Sequence, residues 1–211
     1  MAGASAVRPE LYRRLEIEKG VTAVIGSGGK TSLLLRLCRE LPGTVILCTS
    51  TRIYPMEGLP LVTEAMGTLP FEKLCTGTPA EHRKLSAPVQ PFEELVRLAD
   101  YVIVEADGSR GLPLKAHLDH EPVIPACARQ TIQVVGLWGL GKPVLAAAHR
   151  PARYAALCGT SVEQPVTPEM AARVIQAEGL CHRVLLNGSS GPEAERLAAL
   201  LHVPCDIVSL L

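Results

Sequence analysis

Aromatic residues are scarce in this chain: two Phe, one Trp and four Tyr make up 3% of its 211 residues. That excludes the stacking platforms on which single-strand binders lay successive bases, and it leaves small aliphatic side chains to build the interior. Net charge is absent as well. With 21 Lys and Arg against 21 Asp and Glu, no bulk field holds nucleic acid or an acidic membrane surface. No run approaches the roughly 18 apolar residues that cross a bilayer. The stretch from Met1 to Gly20 mixes Arg and Glu without an apolar leader core, so a cytoplasmic protein is expected. The seven cysteines form no C-x-x-C pair and the six histidines no H-x-x-x-H pair. Buried, reduced thiols are therefore expected in place of a zinc or disulfide framework.

What the chain does have is apolar material, 47% of residues, enough for the core of one domain spanning 1–211. Short β-branched runs at Val21–Gly26, Thr44–Ser50, Tyr101–Ala106, Ile132–Leu137, Arg183–Asn187 and Asp206–Leu210 alternate with helical patterns. Several runs are apolar on successive residues, as a strand covered on both faces must be. Helices are expected over Thr31–Leu41, Phe92–Ala99, Pro168–Glu178 and about Glu193–His202, the third with Thr167 as its cap and Gly179 as its stop. The fold class that follows is α/β, doubly wound, with a mainly parallel sheet and helices on both faces. Residues 51–91 carry six prolines and no sustained period, which suggests an irregular excursion over the strand ends; 143–168 reads as a second decorated crossover.

The segment richest in chemistry joins the first strand to the first long helix. Gly26-Ser27-Gly28-Gly29-Lys30-Thr31-Ser32 places glycines, then Lys-Thr, where a strand turns into a helix. Glycines let successive N–H groups face phosphate oxygens, and the helix N-terminus adds partial positive charge. Lys30 suits the β and γ phosphates and the Thr31 hydroxyl suits Mg²⁺. The loop is tighter than G-x-x-x-x-G-K-[ST], since position 24 is Val where that pattern requires Gly. A second cluster ends the third run. Glu105 and Asp107 follow Tyr101–Val104 at a carboxyl end that faces the same crevice, where Asp107 can hold Mg²⁺ and Glu105 can orient a nucleophilic water. Arg110 and Lys115 lie close enough downstream to hold a second anion or substrate. For the hydroxyls of Thr49, Ser50 and Thr51, local turn capping is the expected role.

These residues resemble the YqeC family. The resemblance rests on Gly26–Thr31, Thr49–Thr51, the Val104–Ala116 block with its Glu-Ala-Asp-Gly and Pro-Leu-Lys, His120–Pro125, Val135–Leu137, Leu140–Pro143 and His149–Pro151, and runs from about residue 20 onward. It implies a P-loop-type nucleotide-binding protein, an accessory to selenium-dependent molybdenum hydroxylases, with that hydroxylase or its cofactor-insertion machinery as partner. A slow Mg²⁺-dependent NTPase is the leading expectation, with catalytic Lys30, Glu105 and Asp107. An NTP-dependent transferase or ligase acting on a small acidic, molybdopterin or selenium substrate, and a non-catalytic chaperone stabilised by nucleotide, are the alternatives. One departure bears on the base. Asn187 is followed by Gly188-Ser189-Ser190, so the Lys and Asp of an Asn-Lys-x-Asp element are missing, and with them the usual basis for choosing guanine over adenine.

Overall fold

The structure, a computed structural model, describes residues 10–210. Eight strands form its central sheet. They are β1 (Gly20–Gly26), β2 (Val45–Thr49), β3 (Leu61–Val62), β4 (Lys73–Thr76), β5 (Tyr101–Glu105), β6 (Ala128–Gly136), β7 (Arg183–Asn187) and β8 (Cys205–Val208). Their spatial order is β8-β7-β6-β1-β5-β2-β4-β3, and every neighbouring pair is parallel.

Side-chain alternation explains why both faces must be covered. In β2, Val45 and Leu47 pack into one apolar layer while Ile46 and Cys48 enter the other, and in β5 Tyr101 and Ile103 oppose Val102 and Val104 in the same way. The first layer is closed by α1 (Leu11–Arg14) and α2 (Lys30–Glu40), the latter burying Leu33, Leu34 and Leu37 along one stripe. The second layer is closed by α3 (Phe92–Leu98) against β2 and β5. Beyond β6 and β7 that face is covered by α4 (Val144–Ala147), α5 (Pro151–Cys158), α6 (Pro168–Glu178) and α7 (Pro192–Leu200). The fold is thus α/β and doubly wound. Among the described residues no helix is long and apolar enough to cross a membrane.

Two segments differ from the sequence expectation. Residues 51–91 are not merely an irregular excursion: they add β4 and β3 to the sheet edge and an antiparallel pair, Thr78–Pro79 with Leu85–Ser86. Proline spacing hid these strands, because none exceeds four residues. The crossover at 143–168 contains α4 and α5, and also a short strand, Ala148–His149, that pairs in parallel with Leu114–Lys115.

Strand order decides where a ligand can enter. The chain passes from β5 on one side of β1 to β6 on the other, so the carboxyl ends of these three strands open a crevice at a topological switch point.

Helix α6 illustrates how directly local chemistry sets an element's ends. The Thr167 hydroxyl accepts from the Met170 N–H at 3.3 Å, Pro168 fills the first turn, and Gly179 closes the helix with φ +59°. Replacing Thr167 with Ala is expected to cost about 1 kcal/mol, read as a lower urea midpoint at unchanged m-value.

Candidate functional site

Three glycines with positive φ carry the chain from β1 into α2: Gly26 (+88°), Gly28 (+83°) and Gly29 (+122°). At two of them space as well as φ requires glycine. A Cβ on Gly26 would stand 2.4 Å from the Val134 carbonyl oxygen, and one on Gly28 2.5 Å from the Cα of Gly136. The first half of the loop is committed to the fold. The Gly26 N–H donates to Asp107 Oδ2 at 2.8 Å, the Ser27 N–H donates to the Val134 carbonyl at 2.9 Å, and the Ser27 hydroxyl donates to the Leu112 carbonyl. Gly26 and Ser27 therefore do not offer N–H groups to a phosphate, contrary to the sequence expectation. The second half is not committed in this way. The first bond of α2 runs from the Leu33 N–H to the Gly29 carbonyl, so the N–H groups of Lys30, Thr31 and Ser32 have no helical partner. Asn187, at the end of β7, braces this half: its amide donates to the Gly28 carbonyl at 2.8 Å and accepts from the Leu210 N–H at 3.0 Å.

Beneath the loop lies a buried charge network. Asp107 has no exposed surface, and its carboxylate meets three basic side chains. Lys30 Nζ is 3.0 Å from Oδ1; Lys115 Nζ is 3.2 Å and His117 Nε2 2.7 Å from Oδ2. Burial alone would raise the Asp107 carboxyl, but the His117, Lys30 and Lys115 partners outweigh it and hold it down at about 2. His117 Nδ1 faces Glu178 Oε2 of α6 at 2.8 Å, and although burial opposes its charge, the two carboxylates raise its pKa above the ordinary value. Lys115 also reaches Glu121 at 2.9 Å, and Arg150 donates to the other Glu121 oxygen at 3.1 Å.

Above the network opens a cleft of about 860 Å³ at the switch point, within the size range of small-molecule sites. Gly28 to Ser32 and Glu105 form one side. Arg52, Tyr54 and Lys84 from the 51–91 segment, Arg110, Trp138, His149 and Arg150 form the rest. Five basic side chains, Lys30, Arg52, Lys84, Arg110 and Arg150, stand against two carboxylates, Glu105 and Glu121, so the cleft favours a polyanion.

Most of the residues singled out in the sequence do meet here, but in changed roles. Glu105 and Asp107 converge on Lys30, at 3.8 Å and 3.0 Å. Asp107, expected to hold a metal, is sealed below the cleft with its oxygens facing cations and an N–H. Glu105, by contrast, lines the cleft, and its Oε2 is buried without a hydrogen-bond partner. Burial, reinforced by Asp107 and opposed by Lys30 and Lys115, lifts it to about 7. Lys30 is itself buried and donates to the Gly26 carbonyl at 2.7 Å, so it belongs to the core of the site. Lys115 and Arg110 do not form the expected pair, for Lys115 is buried among Asp107, Glu121 and the Gly108 carbonyl while Arg110 is exposed in the cleft. Of the three hydroxyl residues, Thr49 accepts locally from the Thr51 N–H as turn capping predicts, but the Thr49 and Ser50 hydroxyls donate across the fold to the Glu105 and Val123 carbonyls. Sequence reasoning missed His117, His149, Arg150, Arg52 and Lys84. Only His149-Arg150-Pro151 had a signal, as one of the shared blocks. The seven cysteines are free thiols, four of them buried.

Two outcomes test this arrangement. Asp107→Asn leaves Lys30, Lys115 and His117 buried around a neutral group, and is expected to destabilise the ligand-free protein by about 3–5 kcal/mol in denaturant melts. The second is a pH profile. Because folding raises the Glu105 carboxyl from 4.5 to about 7, its contribution is full below the unfolded value and is lost as pH rises through about 7. His117, also raised, acts in the same direction; Asp107, lowered, loses its contribution only in acid. The Glu105 and His117 contributions should therefore fall between about pH 5 and about pH 8 while His149, whose pKa is lowered, acts in the opposite sense, so the profile of Glu105→Gln should fall less steeply than that of the parent in thermal melts across that range.

Comparison with known proteins gives a consistent outcome. Residues 22–152 match the family model described as YqeC protein, a span that holds the loop, the acidic strand end, His117, Glu121 and Arg150. The chain is 34% identical over 155 residues to the uncharacterized protein YqeC of Escherichia coli strain K12, an alignment covering 66% of this chain and 60% of that protein. The chain thus spans about 60% of the length of the curated relative it matches. No solved structure matches. With the family model covering more than half of it, this chain belongs to the YqeC family.

Proposed function

We propose that the protein binds a nucleoside triphosphate with Mg²⁺ in this cleft and hydrolyses it slowly. The observation that carries this reading is the run of unpaired N–H groups at Lys30, Thr31 and Ser32, at the start of an eleven-residue helix, with a buried ammonium beneath them. A helix N-terminus of this kind attracts phosphate oxygens through both its N–H groups and its dipole.

The donor set on the wall suits a hard cation. Thr31, exposed to the cleft, brings a hydroxyl oxygen of the type Mg²⁺ takes, and phosphate and water oxygens would complete the ion's shell. When bound, the ion supplies neutralisation of phosphate charge. The chain's own groups do the rest. Lys30, held by Asp107 and the Gly26 carbonyl, keeps a fixed positive charge under the loop. Glu105 Oε2, on a carboxyl near 7, accepts a proton from a water at the cleft wall. Asn187 is committed to Gly28 and Leu210, so base choice falls to other residues of the cleft. Taken with the accessory role that the YqeC resemblance implies, the protein is a nucleotide-dependent helper in the maturation of a selenium-dependent molybdenum hydroxylase.

A thermal-shift panel of ATP, GTP and CTP, each with and without Mg²⁺, tests the binding step. A triphosphate at ~100 times its Kd should add about 2.7 kcal/mol of stability. Thr31→Val should lose the Mg²⁺-dependent part of that gain while melting like the parent when ligand-free, since Thr31 is exposed. Absence of any shift with all three nucleotides overturns the reading.

A further inference from the structure

The cleft contains more positive charge than the loop accounts for, and that charge is placed at some structural cost. Arg110 and Arg150 both sit in the left-handed region, at φ +52° and +69°, where non-glycine residues are uncommon. Backbone strain of this kind gathers at ligand-holding positions. His149, next to Arg150 in the chain and 7% exposed, also lines the cleft, with Nδ1 buried and lacking a hydrogen-bond partner. The Nε of Arg150 is likewise buried without a partner. Orphaned buried polar atoms are costly in a folded protein unless a ligand completes them.

The local fold explains how these groups arrive together. His149 pairs in register with Lys115 in the short parallel strand pair, and the Ala116 N–H donates to the His149 carbonyl at 3.1 Å. This fixes the backbone one residue before Arg150, whose guanidinium is then held by Glu121. Burial, with Lys115 and Arg150 nearby, lowers the His149 pKa below its ordinary value, so at neutral pH the ring offers one N–H and no charge. Lys30 and Arg150 stand at opposite ends of a chain of ion pairs that runs Lys30, Asp107, Lys115, Glu121, Arg150. The loop lysine and the Arg150 group thus draw on different carboxylates, Glu105 and Asp107 for the one and Glu121 for the other.

We infer that Arg110, His149 and Arg150 form a second anion subsite, which takes a small molecule bearing a carboxylate or a phosphate monoester while the triphosphate occupies the loop. Guanidinium forks match either anion bidentately, and the neutral imidazole adds a single donor. Trp138, 44% exposed in the same cleft, gives a planar body of that ligand a surface to lie against. The simultaneous occupancy rests on the nucleotide reading above; the subsite itself does not.

Trp138 is the chain's one tryptophan, so its fluorescence reports on this cleft. The test titrates the protein with phenyl phosphate and, separately, with benzoate, each with and without saturating magnesium tripolyphosphate, which carries the phosphate chain without a base. Arg150→Asn and Arg110→Asn are the variants, because Asn tolerates the left-handed backbone and both should fold. The expected result is a saturable Trp138 change with at least one probe, weakened about tenfold or more in either variant, while tripolyphosphate affinity by thermal shift falls by clearly less than probe affinity, as the loss of one cleft charge requires. Which probe binds distinguishes a phosphate ester from a carboxylate ligand. No saturable change with either probe overturns the inference. So does a loss of tripolyphosphate binding in Arg150→Asn matching the loss of the probe, since the cations would then serve the triphosphate. If tripolyphosphate does not bind the parent but the Arg150-dependent probe signal persists, the nucleotide reading falls and the subsite stands.

Discussion

An ionised carboxylate without solvent needs opposite charge in contact, and the site is organised around that requirement at Asp107. Its basic partners come from two parts of the chain: Lys30 from the start of α2, and Lys115 and His117 from a short strand and the residues just after it. The Gly26 N–H supplies a fourth contact. Desolvating so many charges is expensive, and the arrangement holds only because each finds its counterpart at hydrogen-bond distance. The benefit is positional. One carboxylate ties the end of β1, the first residue of α2 and the segment after β5 into a single rigid unit, which keeps the loop's N–H groups aimed at the cleft.

Sheet topology determines that this unit lies at a ligand-accessible place. Because β1 has β5 on one side and β6 on the other, the connections leaving these strands diverge and open a crevice between them. The segment between β2 and α3 then contributes the far wall. Its strands β3 and β4 extend the sheet edge, while Ile53 and Leu85 are buried in the layer next to α2 and bring Tyr54 and Lys84 to the cleft. A stretch dense in proline is suited to this, because proline disfavours long paired strands and leaves rigid turns between short ones.

Much of this was legible in the residues, and the illegible part has a physical cause. All six strands expected from apolar runs exist, because burial on both faces leaves a strong compositional mark. The ends of α6 were readable from Thr167, Pro168 and Gly179, since caps act over three or four residues. The glycine loop and the Glu105–Asp107 pair were readable as a shared site, since strand ends in parallel sheets converge. What could not be read was partner choice. Nothing near Lys115 in sequence says that its ammonium turns inward to Asp107 and Glu121 while Arg110, five residues earlier, stays in the cleft. That outcome depends on a strand pairing with Ala148–His149, more than thirty residues away. Asp107 and Glu105 exchanged their expected places for the same reason: which carboxylate is sealed depends on cations delivered from other elements. The edge strands β3 and β4 escaped notice because two to four residues are too few for a period to register.

The far ends of two contacts lie outside the stretch that matches the family model. His117 takes its second carboxylate from Glu178, and the Gly28 carbonyl takes its donor from Asn187, both beyond residue 152. A transplant of residues 22–152 into another scaffold would carry every glycine, lysine and carboxylate of the loop, yet would leave His117 facing Asp107 alone and the loop without its brace. Such a graft inherits the vocabulary of the site but not its grammar, and the unit of modular exchange in this fold has to extend through β7.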